Sequence, residues 1–128
     1  MATTILSIGT SRKVHDINIT STNGRRFIVD IYEDSNGGYE SEVAVLDNIS
    51  STKGSWIYKV SPSGSSVVDN FKASIEMIQK YCSSVDSKDS ISDIHNSCNC
   101  PFNCPFISES QQNNVLSGLG VGIKVRVN

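Results

Sequence analysis

The sequence is poor in aromatic residues and proline, and it has no long apolar run. Only 7% of its 128 residues are aromatic, and three are proline. No stretch approaches the roughly 18 apolar residues that a membrane-spanning helix needs. Residues 1–8 have neither the basic start nor the apolar stretch of a secretory signal peptide. These absences predict a cytoplasmic protein that does not associate with membranes and whose cysteines stay reduced.

The sequence also lacks an excess of positive charge. It contains 11 Lys and Arg residues against 13 Asp and Glu residues, so the formal net charge is −2 at pH 7. Proteins that bind nucleic acid through phosphate contacts usually show a basic excess. We therefore expect nucleic acid not to be the partner. A chain with 38% hydrophobic and 19% charged residues is nevertheless typical of a folded protein.

Candidate catalytic groups are scarce. His15 and His95 are the only histidines. His95 lies three residues before Cys98, but the sequence shows no recognisable orienting acid or oxyanion hole. We therefore expect that the protein is not an enzyme.

Alternating apolar and polar residues predict strands in the first half of the chain. Asn23-Gly24 is typical of a β-hairpin turn. A two-residue loop would place apolar residues opposite polar ones, whereas a three-residue loop ending in a left-handed Gly24 gathers one apolar face. The three-residue loop predicts the cross-strand pairs Ile19 with Phe27, Ile17 with Val29, and His15 with Ile31.

Three further segments have the pattern of strands. Val43 and Val45 alternate with acidic residues, and residues 56–60 combine aromatic and β-branched side chains. Residues 121–127 alternate with a period of two, which predicts a last strand that returns to the sheet.

One amphipathic helix is predicted after these strands. Ser65 or Ser66 is the expected N-cap, and Asp69, three residues after Ser66, is the capping-box partner. The apolar residues that follow recur at spacings of three and four, which places Cys82 on the core side. They are Val68, Phe71, Ile75, Ile78 and Cys82.

These elements predict an α+β fold in a single domain that spans residues 1–128. The predicted architecture is an antiparallel sheet of five or six strands in a β-meander, with one helix packed on one face and a long Cys/Pro loop. A single helix is too narrow to cover a sheet of this width, so we expect a homo-oligomer, most simply a two-fold dimer across a sheet face or edge.

The long Cys/Pro loop is expected at about residues 83–114, where the periodic pattern is lost. It contains the tandem repeat Asn99-Cys-Pro-Phe and Asn103-Cys-Pro-Phe. Three interpretations stay open: a zinc site, disulfides, or reduced cysteines that only pack. We favour reduced cysteines and no cofactor, with zinc as the alternative. The candidate zinc ligands are His95, Cys98, Cys100 and Cys104.

The expected function is that of a small non-enzymatic protein-binding or regulatory module, of the kind that viruses and mobile elements encode. Phe102 and Phe106, four residues apart in the proline-stiffened loop, are candidate anchors for a protein partner. One alternative is a single-stranded nucleic-acid-binding protein with an aromatic and basic sheet face. Its contact residues would be Arg25, Arg26, Trp56 and Tyr58. A small zinc-binding domain is the other alternative.

Overall fold

A mixed sheet of six strands and two helices make up the part of the chain that the structure describes. This computed structural model describes residues 12–33, 38–46, 55–60, 66–97 and 107–127. The elements are, in chain order, β1 (Arg12–Ser21), β2 (Arg26–Glu33), β3 (Tyr39–Leu46), β4 (Ser55–Val60), α1 (Val67–Val85), β5 (Ile91–Ser97), α2 (Glu109–Gly118) and β6 (Arg126–Val127). The predicted α+β class is confirmed.

The hairpin of β1 and β2 has the register predicted from its turn. Ile19 pairs with Phe27, Ile17 with Val29, and His15 with Ile31. Gly24 adopts a φ of 85°, and its amide donates to the carbonyl of Ser21 at 2.9 Å. The left-handed conformation is why glycine stands at this position. The hairpin therefore presents one continuous apolar face.

The strand order across the sheet is β4-β3-β2-β1-β5-β6. The first four strands form the predicted antiparallel meander, and β5 adds to it antiparallel beside β1. The prediction of a purely antiparallel sheet is wrong at one edge, because β6 pairs parallel to β5. The expected last strand over residues 121–127 is also shorter, since only Arg126–Val127 is a strand.

Alternating apolar residues of segment 121–127 pack against the core, and most of this segment does not pair as a strand. Val121 and Val125 are buried, but their amides are used elsewhere. The amide of Val121 donates to the carbonyl of Leu116 at 2.9 Å, which closes the end of α2. The amide of Val125 donates to Oδ1 of Asn113 at 2.9 Å. These bonds hold the segment against the core without a ladder of strand hydrogen bonds.

The segment expected to be an irregular loop contains β5 and the beginning of α2. β5 and α2 correct both the loop prediction for residues 83–114 and the prediction of a single helix. α2 begins at a capping box in which Ser108 accepts from the amide of Gln111 at 3.1 Å. The sequence of α2 has no wide apolar stripe, and the buried residues of this helix are Gln112 and Leu116. Tertiary contacts therefore stabilise α2 more than its own amphipathicity does.

Both helices pack on the same face of the sheet. α1 begins at the predicted capping box of Ser66 and Asp69 and lies mainly over β2 and β3. α2 lies beside it, with Leu116 in the same core. The sheet residues that face the helices include Ile17, Ile19, Phe27, Val29, Ile31, Val43, Val45 and Ile94. No helix among the described residues is long and apolar enough to cross a bilayer.

Candidate functional site

A groove runs along the flank of α1 that faces away from α2. Its volume is about 490 Å³. The helix brings the lining side chains to one flank because residues three and four apart in sequence are neighbours on a helix surface. They are Ala73, Glu76, Met77, Lys80, Tyr81 and Ser84. None of these six was a site residue predicted from the sequence.

The floor of the groove is apolar and fixed from below. Ala73, Met77 and Tyr81 are half-buried and pack against the core. The ring of Tyr81 stands edge-on to the ring of Phe27, with centroids 5.7 Å apart and an interplanar angle of 84°. This geometry is the favourable edge-to-face arrangement, which adds about 0.5–1.5 kcal/mol beyond area burial. The position of Tyr81 is therefore set by a fully buried residue of β2.

The rim of the groove carries opposite charges. Glu76 and Lys80 are exposed and lie four residues apart on α1, the spacing at which side chains are neighbours. Ser84 is exposed as well, but its hydroxyl donates to the carbonyl of Tyr81 at 2.8 Å. In the part of its lining that the structure describes, the groove thus combines an apolar floor with one acidic and one basic side chain at its edge.

A second polar feature is buried between β1, β5 and α2. Nδ1 of His15 lies 3.2 Å from Oδ1 of Asn96, and the Asn96 amide nitrogen donates to Oε1 of Gln112 at 2.9 Å. The Gln112 amide nitrogen then donates to the carbonyl of Ile107 at 3.1 Å. A backbone carbonyl only accepts, so the direction of every bond in this chain is set and Nδ1 of His15 carries the proton.

The other ring nitrogen of His15, Nε2, therefore carries no proton and presents a lone pair. Nε2 is buried and has no hydrogen-bond partner among the described residues. Burial lowers the pKa of His15 below its usual value, against a smaller raising effect of the hydrogen bond to Asn96. His15 also contributes to the wall of a cavity of about 100 Å³, with Lys13, Asp16 and Ser97 among its other lining residues. The imidazole is neutral and held in one orientation.

Arg25, one of the predicted nucleic-acid contacts, forms an ion pair within the protein. Nη1 of Arg25 is 3.0 Å from Oδ2 of Asp89, whose side chain is fully buried. Burial raises the pKa of Asp89, but four hydrogen bonds together lower that pKa by more, so it lies below its usual value. The donors of these bonds are Asn23, Thr22, Ser21 and Arg25. Arg25 thus anchors the hairpin tip to the turn that precedes β5. Arg26 is exposed.

The two aromatic residues predicted to stack on bases pair with neighbouring residues of β3. Tyr58 is aligned with Val43, whose side chain faces the helices, whereas Trp56 is aligned with Ala44 on the opposite face. A bulge between these pairs shifts the alignment by one residue.

Among the residues that the structure describes, those aligned on the sheet face opposite the helices include at least as many acidic as basic ones. Lys13 contacts Asp30 at 3.3 Å, and Arg126 forms two hydrogen bonds with Asp93 at 2.9 and 2.8 Å. Burial raises the pKa of Asp30, although Lys13 opposes that shift. The carboxylate residues aligned on this face are Asp16, Asp30, Glu40, Glu42 and Asp93, and the basic residues are Lys13, Arg26, Lys59 and Arg126.

Most predicted metal and partner residues lie outside the described part of the chain. Cys98, Cys100 and Cys104 are outside it, as are Phe102 and Phe106. His95 lies in β5, aligned with Arg126 of the edge strand. Among the described residues, no three His, Cys, Asp or Glu side chains are grouped closely enough to hold a metal ion.

Cys82 is a core residue, as the helix pattern predicts. Its side chain is buried on the sheet-facing side of α1. Burial raises the pKa of the Cys82 thiol to about 11, with Asp89 as a smaller raising influence. The thiol is therefore protonated at neutral pH and behaves as a small apolar side chain.

Comparison of the chain with protein-family models, with curated proteins and with solved structures finds no match in any of the three.

Proposed function

We propose that this protein is a small non-enzymatic protein-binding module of the cytoplasm, and that the groove along α1 is its binding surface. The observation that supports this proposal is the apolar floor of Ala73, Met77 and Tyr81, with Tyr81 held edge-on by Phe27. A floor whose shape exists before binding lowers the entropy that association costs.

The residue types in the groove are those that protein interfaces favour. Tyrosine is enriched among residues that dominate binding energy, and methionine adapts its shape to different partners. Ala73 and the backbone beside it leave room for a side chain of the partner. A volume of about 490 Å³ lies within the usual range of roughly 300–1,000 Å³ for binding pockets. This combination suits an amphipathic helix that lays its apolar face into the groove.

The polar groups of the groove favour recognition over chemistry. Glu76 and Lys80 are exposed side chains of opposite charge, and the hydroxyl of Ser84 is already bonded to its own helix. An exposed ion pair contributes little affinity, but it orients a partner and discriminates against wrong ones. We assign the affinity to Met77 and Tyr81 and the orientation to Glu76 and Lys80.

Site-specific photocrosslinking in the cells that produce the protein tests this proposal. A photoreactive residue replaces Ser84 at the edge of the groove, and the same residue replaces the exposed Lys124 as a matched control. We expect a protein adduct from position 84 that Met77→Asp abolishes and that position 124 does not give. Equal adducts from both positions, or an adduct that survives Met77→Asp, would show that the groove is not the binding surface.

A further inference from the structure

The described residues that line the groove on α1 differ in charge and in size along its length. Among the described residues, its rim carries one negative and one positive side chain, Glu76 and Lys80. The described floor has the small residue Ala73 near one end and the large residue Tyr81 near the other. A surface that pairs with an identical surface about a two-fold axis needs this kind of arrangement, in which each feature has its complement on the same patch. We propose that the partner in the groove is the groove of a second copy of this chain. The proposal rests on the proposed function.

The charges set the register of the two copies. Glu76 and Lys80 stand two residues on either side of Ile78 along α1. When two copies of α1 pack antiparallel about an axis level with Ile78, each Glu76 lies opposite Lys80 of the second copy. The two-fold symmetry forms this pair twice. A parallel arrangement would instead place like charges opposite each other, so the charges select the antiparallel one.

The sizes of the floor residues agree with the same register. Ala73 lies five residues before the level of the axis, so it faces the stretch of the second copy that contains Tyr81 and Ser84. A small side chain opposite a large one lets the two helices approach closely along their length. The two Met77 side chains meet near the axis, where an unbranched thioether fills an irregular space well.

The length of the contact sets the expected affinity. The lining residues run from Ala73 to Ser84, which is about 18 Å of helix at 1.5 Å per residue. One helix pair of this length buries less than the roughly 1,200–2,000 Å² of a standard stable interface. We therefore expect a dimer that exchanges rapidly, with a Kd of about 1–100 µM.

Charge reversal tests this arrangement in the full chain by sedimentation velocity and equilibrium. E76K and K80E should each weaken the dimer by about tenfold or more, because each places like charges opposite each other twice. The double variant E76K/K80E restores both attractive pairs, and so does a one-to-one mixture of the two single variants. We expect both to recover a Kd within about threefold of the unmodified protein. K124E, a matched reversal at an exposed residue outside the groove, should leave the Kd unchanged.

Three outcomes would overturn the second-copy proposal. One is a dimer of unchanged affinity in both single variants, which would place the interface elsewhere. Another is weakening in the single variants without recovery in the double variant and in the mixture. The third is a monomer at all concentrations up to the high micromolar range. If a monomeric protein still gives the groove-specific photo-adduct with a different protein, the binding module stands and only its partner is wrong; without that adduct, both proposals fall.

Discussion

At the scale of single residues, His15 is a buried histidine whose neutral form the fold requires. Its Nδ1 proton is bound by Asn96, and Nε2 has no partner among the described residues to share a second proton. Protonation would therefore place an unpaired charge in the core, which is why burial lowers the pKa. The folded state thus binds fewer protons than the unfolded state just below the usual histidine pKa of about 6.5.

The sign of the resulting pH dependence follows from this difference. The stability that neutral His15 provides is complete above about pH 6.5 and is lost as the pH falls below that value. One proton contributes a slope of at most about 1.4 kcal/mol per pH unit to the free energy of unfolding. We expect urea unfolding to show lower stability at pH 5.5 than at pH 7.5, and we expect H15L to have a smaller pH slope.

Q112L is the matched control for this prediction. It breaks the bonds from Gln112 to Asn96 and Ile107 and so lowers stability, but it leaves the titrating imidazole in the core. We expect it to keep the pH slope of the unmodified protein at a lower overall stability. A slope in H15L equal to that of the unmodified protein would mean that His15 is not the group responsible.

At the scale of elements, the β1–β2 hairpin depends on one backbone conformation. Gly24 has a φ of 85°, which residues with a Cβ adopt at a cost. We expect G24A to lower the free energy of unfolding by about 1–2 kcal/mol, as measured by chemical denaturation. G118A is the matched control, because a Cβ at the end of α2 meets nothing within 4 Å and the φ there is not positive. That variant should be neutral or slightly more stable, and equal losses in both variants would contradict the argument.

The elements that the sequence predicted well are those encoded by neighbouring residues. The hairpin register follows from Asn23-Gly24 and the alternation on either side, and the start of α1 follows from Ser66 and Asp69. These signals act over a few residues and do not depend on the rest of the fold. They gave the correct cross-strand pairs because a one-residue slip would expose the whole apolar face.

β5 and α2 were missed because distant contacts hold them. Asn96 of β5 is fully buried, yet its partner His15 is 81 residues away in sequence and its partner Gln112 lies on another helix. A polar residue at a buried position breaks the alternation that predicts a strand. The capping box of Ser108 and Gln111 was the one local signal for α2. Without an apolar stripe after it, that signal did not predict a helix.

At the scale of the whole molecule, the candidate binding surface could not be predicted from the sequence. Met77 and Tyr81 lie beside the main apolar stripe of α1, and sequence alone does not show whether such residues are covered. The floor becomes defined only when the sheet places Phe27 of β2 beneath Tyr81. The charge balance, in contrast, could be read from composition, and it bears directly on the nucleic-acid alternative.

The alternative of single-stranded nucleic-acid binding makes a prediction that can be tested directly. A protein that binds single strands through a sheet face needs basic residues to hold phosphates and aromatic residues to stack bases. Here Arg25 is bound to the buried Asp89, Lys13 and Arg126 are paired with Asp30 and Asp93, and the net charge is −2. We expect fluorescence anisotropy with labelled single-stranded oligonucleotides to show no binding at moderate salt, and only weak, unselective binding at low salt.

Substitutions at the aromatic positions provide the control for that measurement. W56A and Y58A should leave the weak low-salt signal unchanged, since stacking does not contribute to it. If the sheet did stack bases, each substitution would weaken binding by the roughly 1–3 kcal/mol that one stacked base contributes. Micromolar binding at moderate salt that falls in W56A would overturn the protein-binding proposal. It would also move the functional surface from α1 to the sheet, because Trp56 belongs to β4 of that sheet.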